Sequence, residues 1–266
     1  MSTGAHPVLE TRALTIRFGG HVAVNAVSCR FELGTLTAIV GPNGAGKTTY
    51  FNLISGQLAA SAGQVLLYGQ DITADPAPIR TRKGMGRAFQ LTNLFPGLTV
   101  LENVRLAVQS RAGMGLNLFS MWAGHIELVE RALHYLSRVA LAEQRATLAS
   151  ELSHGDQRKL EVAILLALEP DIFMFDEPTA GMSVDEVPVI LDLIHEIRQQ
   201  RDKTILLVEH KMDVVRALAD RIIVLHQGEL VADGRPADVI ASTVVQEAYL
   251  GVAGVPRATH GGPAGA

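Results

Sequence analysis

The stretch Gly41-Pro42-Asn43-Gly44-Ala45-Gly46-Lys47-Thr48-Thr49 is the densest concentration of chemistry in the chain. It matches the pattern G-x-x-x-x-G-K-[ST], a loop that cradles phosphate. Its glycines allow tight turns that aim backbone N–H groups at an anion. The helix expected to follow, from Lys47 to about Gln57, adds free N–H groups and a positive dipole end. Lys47 can then reach the β- and γ-phosphates of a nucleoside triphosphate, and the Thr48 hydroxyl can ligate Mg²⁺. The loop alone leaves kinase, GTPase, ATPase and transporter motor open.

Other groups extend this chemistry. Asp176-Glu177-Pro178 follows the apolar run Ile172-Phe173-Met174-Phe175. A carboxylate at the end of a hydrophobic strand suits Mg²⁺ beside a triphosphate, the role expected of Asp176. Glu177, one residue on, can face a water in line with the γ-phosphate and act as its general base. His210 closes another apolar run and can hydrogen-bond the γ-phosphate. Gln90 stands between a strand candidate and a helical stretch. Its amide could ligate Mg²⁺ or the attacking water, or carry nucleotide state across a hinge; a plain polar turn is the alternative. Ser153 and the Gly155 N–H, within Leu152-Ser153-His154-Gly155-Asp156-Gln157, sit at a helix start. They make either an ordinary capped helix or a second anion site. A second anion site, remote from Gly41–Thr48, has a purpose if it serves a neighbouring chain's phosphate.

These groups need a frame. Leu36–Val40 reads as the strand before the loop. The sequence predicts two short strands in Val8–Leu33 split at Gly19-Gly20, and another over Gly63–Tyr68. Together they predict a small antiparallel layer. Helical periodicity begins at Val100, breaks at Gly113–Gly115 and resumes over His125–Ala140, which predicts a helical insertion. Beyond it come a helix from Arg158 to Leu168, the strand ending at Asp176 and a helix over Val187–Gln200. Then follow strand Thr204–Val208, helix Met212–Ala219, strand Arg221–Leu225 and an edge strand over Gly228–Ala232. This alternation implies right-handed crossovers and a mostly parallel sheet, with ligands at the carboxyl ends of its strands. The fold class is therefore α/β: a phosphate-loop ATPase core, a small antiparallel β layer and an inserted helical lobe. The basic knot Arg80-Thr81-Arg82-Lys83 is either a solvated turn or a surface near phosphate or a partner.

Composition excludes several classes. Hydrophobic residues make up 48% of 266, which suits a globular α/β chain. Net charge is −4 and no polybasic tail is present, so a broad nucleic-acid footprint is not expected. A single Cys29 rules out an internal disulfide framework and fits a reducing compartment. Met1–Glu10 lacks a signal-peptide pattern, and the most apolar stretch, Val162–Leu168, is too short to span a bilayer. No cysteine–histidine spacing supports zinc.

Taken together, these motifs resemble the nucleotide-binding subunit of an ATP-binding-cassette transporter over about Leu9 to Gly251. The resemblance rests on the loop Gly41–Thr49, Gln90, the signature Leu152–Gln157, the strand Ile172–Glu177 and His210, all in the family's order. It implies one cassette domain over 8–251, with the helical lobe at about 98–165 and a disordered tail over 252–266. It implies ATP and Mg²⁺ as cofactors. Phe18 would stack on adenine, and Gly41, Asn43, Gly44, Ala45, Gly46, Lys47, Thr48 and Thr49 would hold the phosphates. Thr48 and Gln90 would bind Mg²⁺ with support from Asp176. Glu177, with His210 and Gln90, would serve hydrolysis, and Ser153 and Gly155 would act on the partner's γ-phosphate. Ala180-Gly181-Met182-Ser183 looks like the D-loop. Implied partners are an identical or second cassette ATPase, two membrane permease subunits and a separate solute-binding protein, with no nucleic acid. The implied place is the cytoplasmic face of the inner membrane, held peripherally. The groove between the Gln90 segment and the helical lobe would receive the permease's coupling helix.

His154 and Ser183 depart from the general family pattern. Both resemble the importer subfamily for branched-chain amino acids and urea, with its LivG-like subunits, as does the ending Val245–Gly251. The function expected is the ATP-hydrolysing motor of an importer for branched-chain amino acids or a related small polar solute. The alternative is a soluble cassette ATPase acting on DNA or ribosomes. Such proteins generally carry a long coiled coil or two cassettes, and neither pattern is present.

Overall fold

The computed structural model describes residues 7–88, 94–113, 126–243 and 245. Its centre is a six-stranded sheet built from β3 (Leu36–Val40), β6 (Met85–Ala88), β7 (Ile172–Asp176), β8 (Thr204–Val208), β9 (Arg221–His226) and β10 (Glu229–Gly234). The strand order is β10-β9-β3-β8-β7-β6. All neighbours run parallel except the β9–β10 hairpin. Central parallel strands are covered on both faces, which is why they read as unbroken apolar runs.

The period-two alternation of side chains divides those runs between two cores. Leu36, Ala38, Phe173, Phe175, Ile205 and Leu207 face one core. Their sequence neighbours Ile39, Ile172, Met174, Leu206 and Val208 face the other. The second core lies under the antiparallel layer, β2-β1-β4-β5 in order, made of β1 (Leu9–Phe18), β2 (His21–Phe31), β4 (Ala62–Leu67) and β5 (Gln70–Asp71). Helix α1 (Lys47–Ser55) fills the space between the two sheets with Tyr50, Phe51, Leu53 and Ile54.

Strands β1 and β2 are longer than the short strands the sequence suggests. They bend through register shifts near Ala13 and Ala26, both at positive φ. The irregularity is satisfied by side chains. Ala13 N–H donates to Ser28 Oγ at 2.8 Å and Ala26 N–H to Thr15 Oγ1 at 2.9 Å. A bulge keeps the strand continuous where alternation fails.

Helices α3 (Val100–Arg111), α4 (Ile126–Arg138) and α5 (His154–Ala167) pack together against the opposite core. Helix α3 starts at a capping box: Glu102 N–H donates to Thr99 Oγ1, and Thr99 N–H to Glu102 Oε2. Buried Asn103 holds the loop before it by accepting from Phe95 N–H and donating to the Phe95 and Thr99 carbonyls. Helices α6 (Val187–Gln199) and α7 (Met212–Leu218) complete the crossovers, and Pro188 sits in the first turn of α6. The short helices α2 (Ala77–Arg82) and α8 (Pro236–Ile240) and strand β5 are additions to the elements legible in the sequence.

The basic knot takes neither of its two expected roles at Arg80. This residue is buried, and its guanidinium donates to the carbonyls of Leu53, Ile54, Thr73 and Asp75. It closes the C-terminal end of α1, where backbone acceptors lack partners in the helix. Gln90, the expected helix start at His125, residues 246–251 of the C-terminal motif and the tail lie outside the described residues.

Candidate active site

The carboxyl ends of β3, β7 and β8 lie side by side in the sheet, so the segments leaving them converge. From β3 the chain passes directly into Gly41 and then into α1 at Lys47. The turn is closed by Ala45 N–H donating to the Pro42 carbonyl at 3.2 Å. Gly46 caps α1 at φ 95°, and a Cβ there would lie 2.6 Å from the Ala23 carbonyl oxygen. Glycine is thus required both for conformation and for close approach to β2. The loop also meets the β9–β10 turn, where Gly228 N–H donates to the Ala45 carbonyl at 3.0 Å.

The loop surrounds a cavity of about 270 Å³ lined by Asn43, Gly44, Ala45, Gly46, Lys47, Thr48 and Thr49, together with His21, Ala23 and Glu177. Lys47 is buried and bends back over the loop. Its Nζ donates to the carbonyls of Gly41 at 2.7 Å and Pro42 at 3.0 Å. Burial pulls its pKa down, and the nearby carboxylates of Glu177 and Asp176 oppose that pull. A cation held only by neutral carbonyls, beside the N-terminal end of α1, is arranged to meet an anion.

Asp176 ends β7 and is buried. Burial pushes its carboxyl above the ordinary aspartate value, and Arg87 opposes this with an ion pair of 3.0 Å to Oδ2. Arg87 comes from β6; its Nη1 also donates to Asn52 Oδ1 and Ser55 Oγ, each at 2.7 Å, and its guanidinium lies over the Phe51 ring. It thereby ties β6 and β7 to α1. The sequence reading did not single out Arg87; a charge inside the apolar β6 segment was the available signal.

Glu177 follows at positive φ, 50°, with its N–H donating to the Val208 carbonyl at 2.9 Å. That conformation is uncommon for a residue with a Cβ and turns the side chain out of the strand toward the loop cavity. His210, beyond the end of β8, has Nδ1 3.8 Å from Glu177 Oε1 and 3.5 Å from Glu209 Oε1. Glu209 is fully buried and accepts from the N–H groups of His210 and Lys211. It fixes the backbone carrying His210, a role the sequence reading did not assign to it. The structure therefore gathers Lys47, Asp176, Glu177 and His210 around one loop.

Phe18 lies at the tip of the β1–β2 hairpin, half exposed and paired with His21, which lines the cavity. Ser153 and Gly155 stand elsewhere, at the start of α5, and do not line it. Ser153 is the N-cap of α5, accepting from Asp156 N–H at 3.1 Å. A second groove, of about 410 Å³, runs between the α1–α2–β6 side and α5; Ser55, Met85, Arg87, Leu94, Glu161 and Ile164 line it.

A comparison with known families places this geometry. The family model described as ABC transporter matches residues 24–180, more than half of the chain. The chain belongs to the ABC transporter family. As a nucleotide-binding subunit of that family it is an ATP-hydrolysing enzyme. It is 38% identical over 254 residues to the high-affinity branched-chain amino acid transport ATP-binding protein LivG of Escherichia coli (strain K12), covering 94% of this chain and 100% of that one. The ADP conformation of MJ1267, an ATP-binding cassette of an ABC transporter, superposes with a TM-score of 0.77 at 30% identity, over 92% of this chain and 98% of that one. A dimeric post-hydrolysis state of the ATP-binding cassette MJ0796, bound to ADP and Pi, superposes with a TM-score of 0.73 at 26% identity, over 86% and 98% of the chains. Like other nucleotide-binding subunits of ABC transporters, the chain has a fold that implies nucleotide binding. Among its described residues, no helix is long and apolar enough to cross a membrane.

Proposed function

We propose that this chain is the motor of a membrane importer for branched-chain amino acids or a related small polar solute, working as a pair of cassettes that close on shared ATP. The observation that carries it is that Lys47 and Glu177 line the phosphate-loop cavity, with the Asp176 carboxylate near Lys47 and His210 Nδ1 3.8 Å from Glu177 Oε1. The cargo class is supported by the 38% identity to a branched-chain amino acid transport protein. Pairing is supported by the likeness to the dimeric MJ0796 structure.

The donor set fits Mg²⁺. Thr48 offers an exposed hydroxyl, and Asp176 keeps Oδ1 clear of hydrogen bonds among the described residues while Arg87 holds Oδ2. These are hard oxygen donors of the kind Mg²⁺ takes, directly or through water. When bound, the ion would neutralise charge on the β- and γ-phosphate oxygens. Gln90 would add its amide. Lys47 would exchange its carbonyl partners for phosphate oxygens, and the N–H groups of Gly44 to Thr49 would hold the rest of the anion. Gly41 and Asn43 shape the entry to this loop. Phe18 would stack on adenine.

Glu177 would orient a water in line with the γ-phosphate and take its proton at the carboxylate as the new O–P bond forms and the bond to the β–γ bridging oxygen breaks, leaving ADP and phosphate. His210 would hydrogen-bond the γ-phosphate and so report its presence. Ser153 and Gly155 of the second cassette would close over the same phosphate. Hydrolysis removes those contacts and shifts the population back to the open pair. A permease subunit would dock at the groove beside Glu161 of each cassette, two per pair, and the chain would then lie peripherally on the cytoplasmic membrane face, with a separate solute-binding protein outside.

Glu177→Gln tests this reading. Light scattering should show the variant doubling in mass with Mg-ATP but not with Mg-ADP, while phosphate release falls by about a hundredfold or more. A variant that stays single with ATP, or turns over at the normal rate, contradicts the proposal.

A further inference from the structure

The start of α5 and the segment before α6 are joined by a continuous line of polar contacts. Ser153 Oγ donates to Asp156 Oδ2 at 3.0 Å. Lys159 Nζ donates to Asp156 Oδ1 at 2.8 Å and to Glu186 Oε1 at 3.2 Å. Glu186 Oε2 accepts from both the N–H and the hydroxyl of Ser183, at 3.0 and 2.9 Å. Lys159 is buried. Gly155 leaves the room for this arrangement, since a Cβ there would lie 2.4 Å from the Glu186 carboxylate oxygens.

The contacts create a difficulty for Ser153 and contain its remedy. A serine that serves a phosphate must donate its hydroxyl proton to it, yet here that proton goes to Asp156. A bare carboxylate beside a γ-phosphate also repels it, by an amount that grows as the pair closes and water leaves. Lys159 supplies a positive charge in contact with that carboxylate. Burial pulls Lys159 down, but its hydrogen bonds to Asp156 and Glu186 carry it above its ordinary value, so it is a standing cation.

We propose that Lys159 is a positioning residue. It neutralises Asp156 so that the Ser153 hydroxyl can turn to an incoming γ-phosphate, and through Glu186 it ties that serine to the Ala180–Ser183 loop of the same chain. The inference rests on the reading of Ser153 as acting on the neighbouring cassette's nucleotide. It adds that the receptive state of Ser153 depends on an internal cation and on a loop distant in sequence. A shift of Ser183 then moves Glu186, and with it the screening of Asp156.

The test uses the full chain carrying Glu177→Gln, with pairing followed by light scattering against ATP concentration. Lys159→Met should raise the ATP needed for half-maximal pairing by about tenfold, the effect of a close charge left without its partner. Binding of fluorescent ADP to the single chain should be unchanged, because Lys159 lies outside the loop cavity. Lys159→Arg keeps the charge and should pair nearly normally. Asp156→Asn added to Lys159→Met removes the charge that needs screening and should restore pairing.

Normal pairing by Lys159→Met, or no restoration by the added Asp156→Asn, overturns the proposal. Equal losses of pairing and of single-chain ADP binding also overturn it, as a general structural defect. Should Lys159→Met alone not fold, the double variant and Lys159→Arg decide: both must pair. If the Glu177→Gln parent itself does not pair with ATP, the underlying reading fails, and that failure is distinct because it appears before Lys159 is touched.

Discussion

Glu161 on α5 is a carboxyl in the wall of the larger groove, with no hydrogen bond or ion pair holding it among the described residues. Burial pushes its pKa up to about 7, and the field of Arg158 only partly offsets this. The folded value therefore lies above the unfolded one, 4.5. Its contribution to stability is fully present below pH 4.5 and is lost as pH rises through about 7, where the buried group must ionise. Glu161→Gln carries no such charge. The variant should match the parent at low pH and become more stable through neutrality, by about 1 kcal/mol once solvent screening of a partly exposed group is allowed for. Melting temperatures across the pH range measure it; equal curves above pH 7 would sink the idea.

Elements are held in place by single residues at their ends. Arg80 on α2 adds hydrogen-bond donors at the C-terminal end of α1, at 2.8 Å to Leu53 and 2.6 Å to Ile54, beside the backbone cap from Gly56 N–H. The N-terminal end of the same helix holds the phosphate loop, so Arg80 braces the site from behind. Arg80→Met removes the guanidinium from those carbonyls and from those of Thr73 and Asp75, leaving Leu53 with only its bond from Gly56 N–H. It should cost about 3 kcal/mol, since buried acceptors lose charge-assisted bonds, which for a chain of this size lowers the melting temperature by roughly 6–12 °C. A thermal melt that moves by less than a degree or two would show that water replaces the guanidinium freely. Arg87 does comparable work between β6, β7 and α1, bringing the Asp176 carboxylate and the phosphate-loop helix into one connected unit.

At the level of the molecule, Ser153 and the phosphate loop stand in different parts of one chain, so the phosphate contact proposed for Ser153 would need a second cassette. Ser153→Ala in the Glu177→Gln chain should leave single-chain nucleotide affinity unchanged within about twofold and weaken ATP-driven pairing by about tenfold or more. It also removes an N-cap, which costs about 1 kcal/mol and is seen separately in the melt. Loss of nucleotide affinity in the single chain would mean that Ser153 acts within its own cassette. The two cores that flank the central sheet make this division possible. One carries the nucleotide loop under the antiparallel layer, and the other carries α5 and the helices packed on it.

Spacing along the chain was enough to place the phosphate loop, Asp176, Glu177 and His210 at the carboxyl ends of β3, β7 and β8. Each depends on a local rule, a glycine turn or an apolar run of strand length, that acts within a few residues. The mostly parallel sheet and the antiparallel layer followed from the same local periodicities, and the family from the resemblance of the motifs taken in order. Three features depend on contacts between distant segments, and only the tertiary structure could decide them. Arg80 looked like part of a solvated or partner-facing basic knot, and instead closes α1 through acceptors on Leu53 and Ile54. Arg87 meets Asp176 because β6 lies beside β7. Lys159 joins Asp156 to Glu186 because the loop before α6 folds back over the start of α5. A charge shows in a sequence, but its partner is chosen by the packing of the sheet and helices, which bring together residues that no local spacing connects.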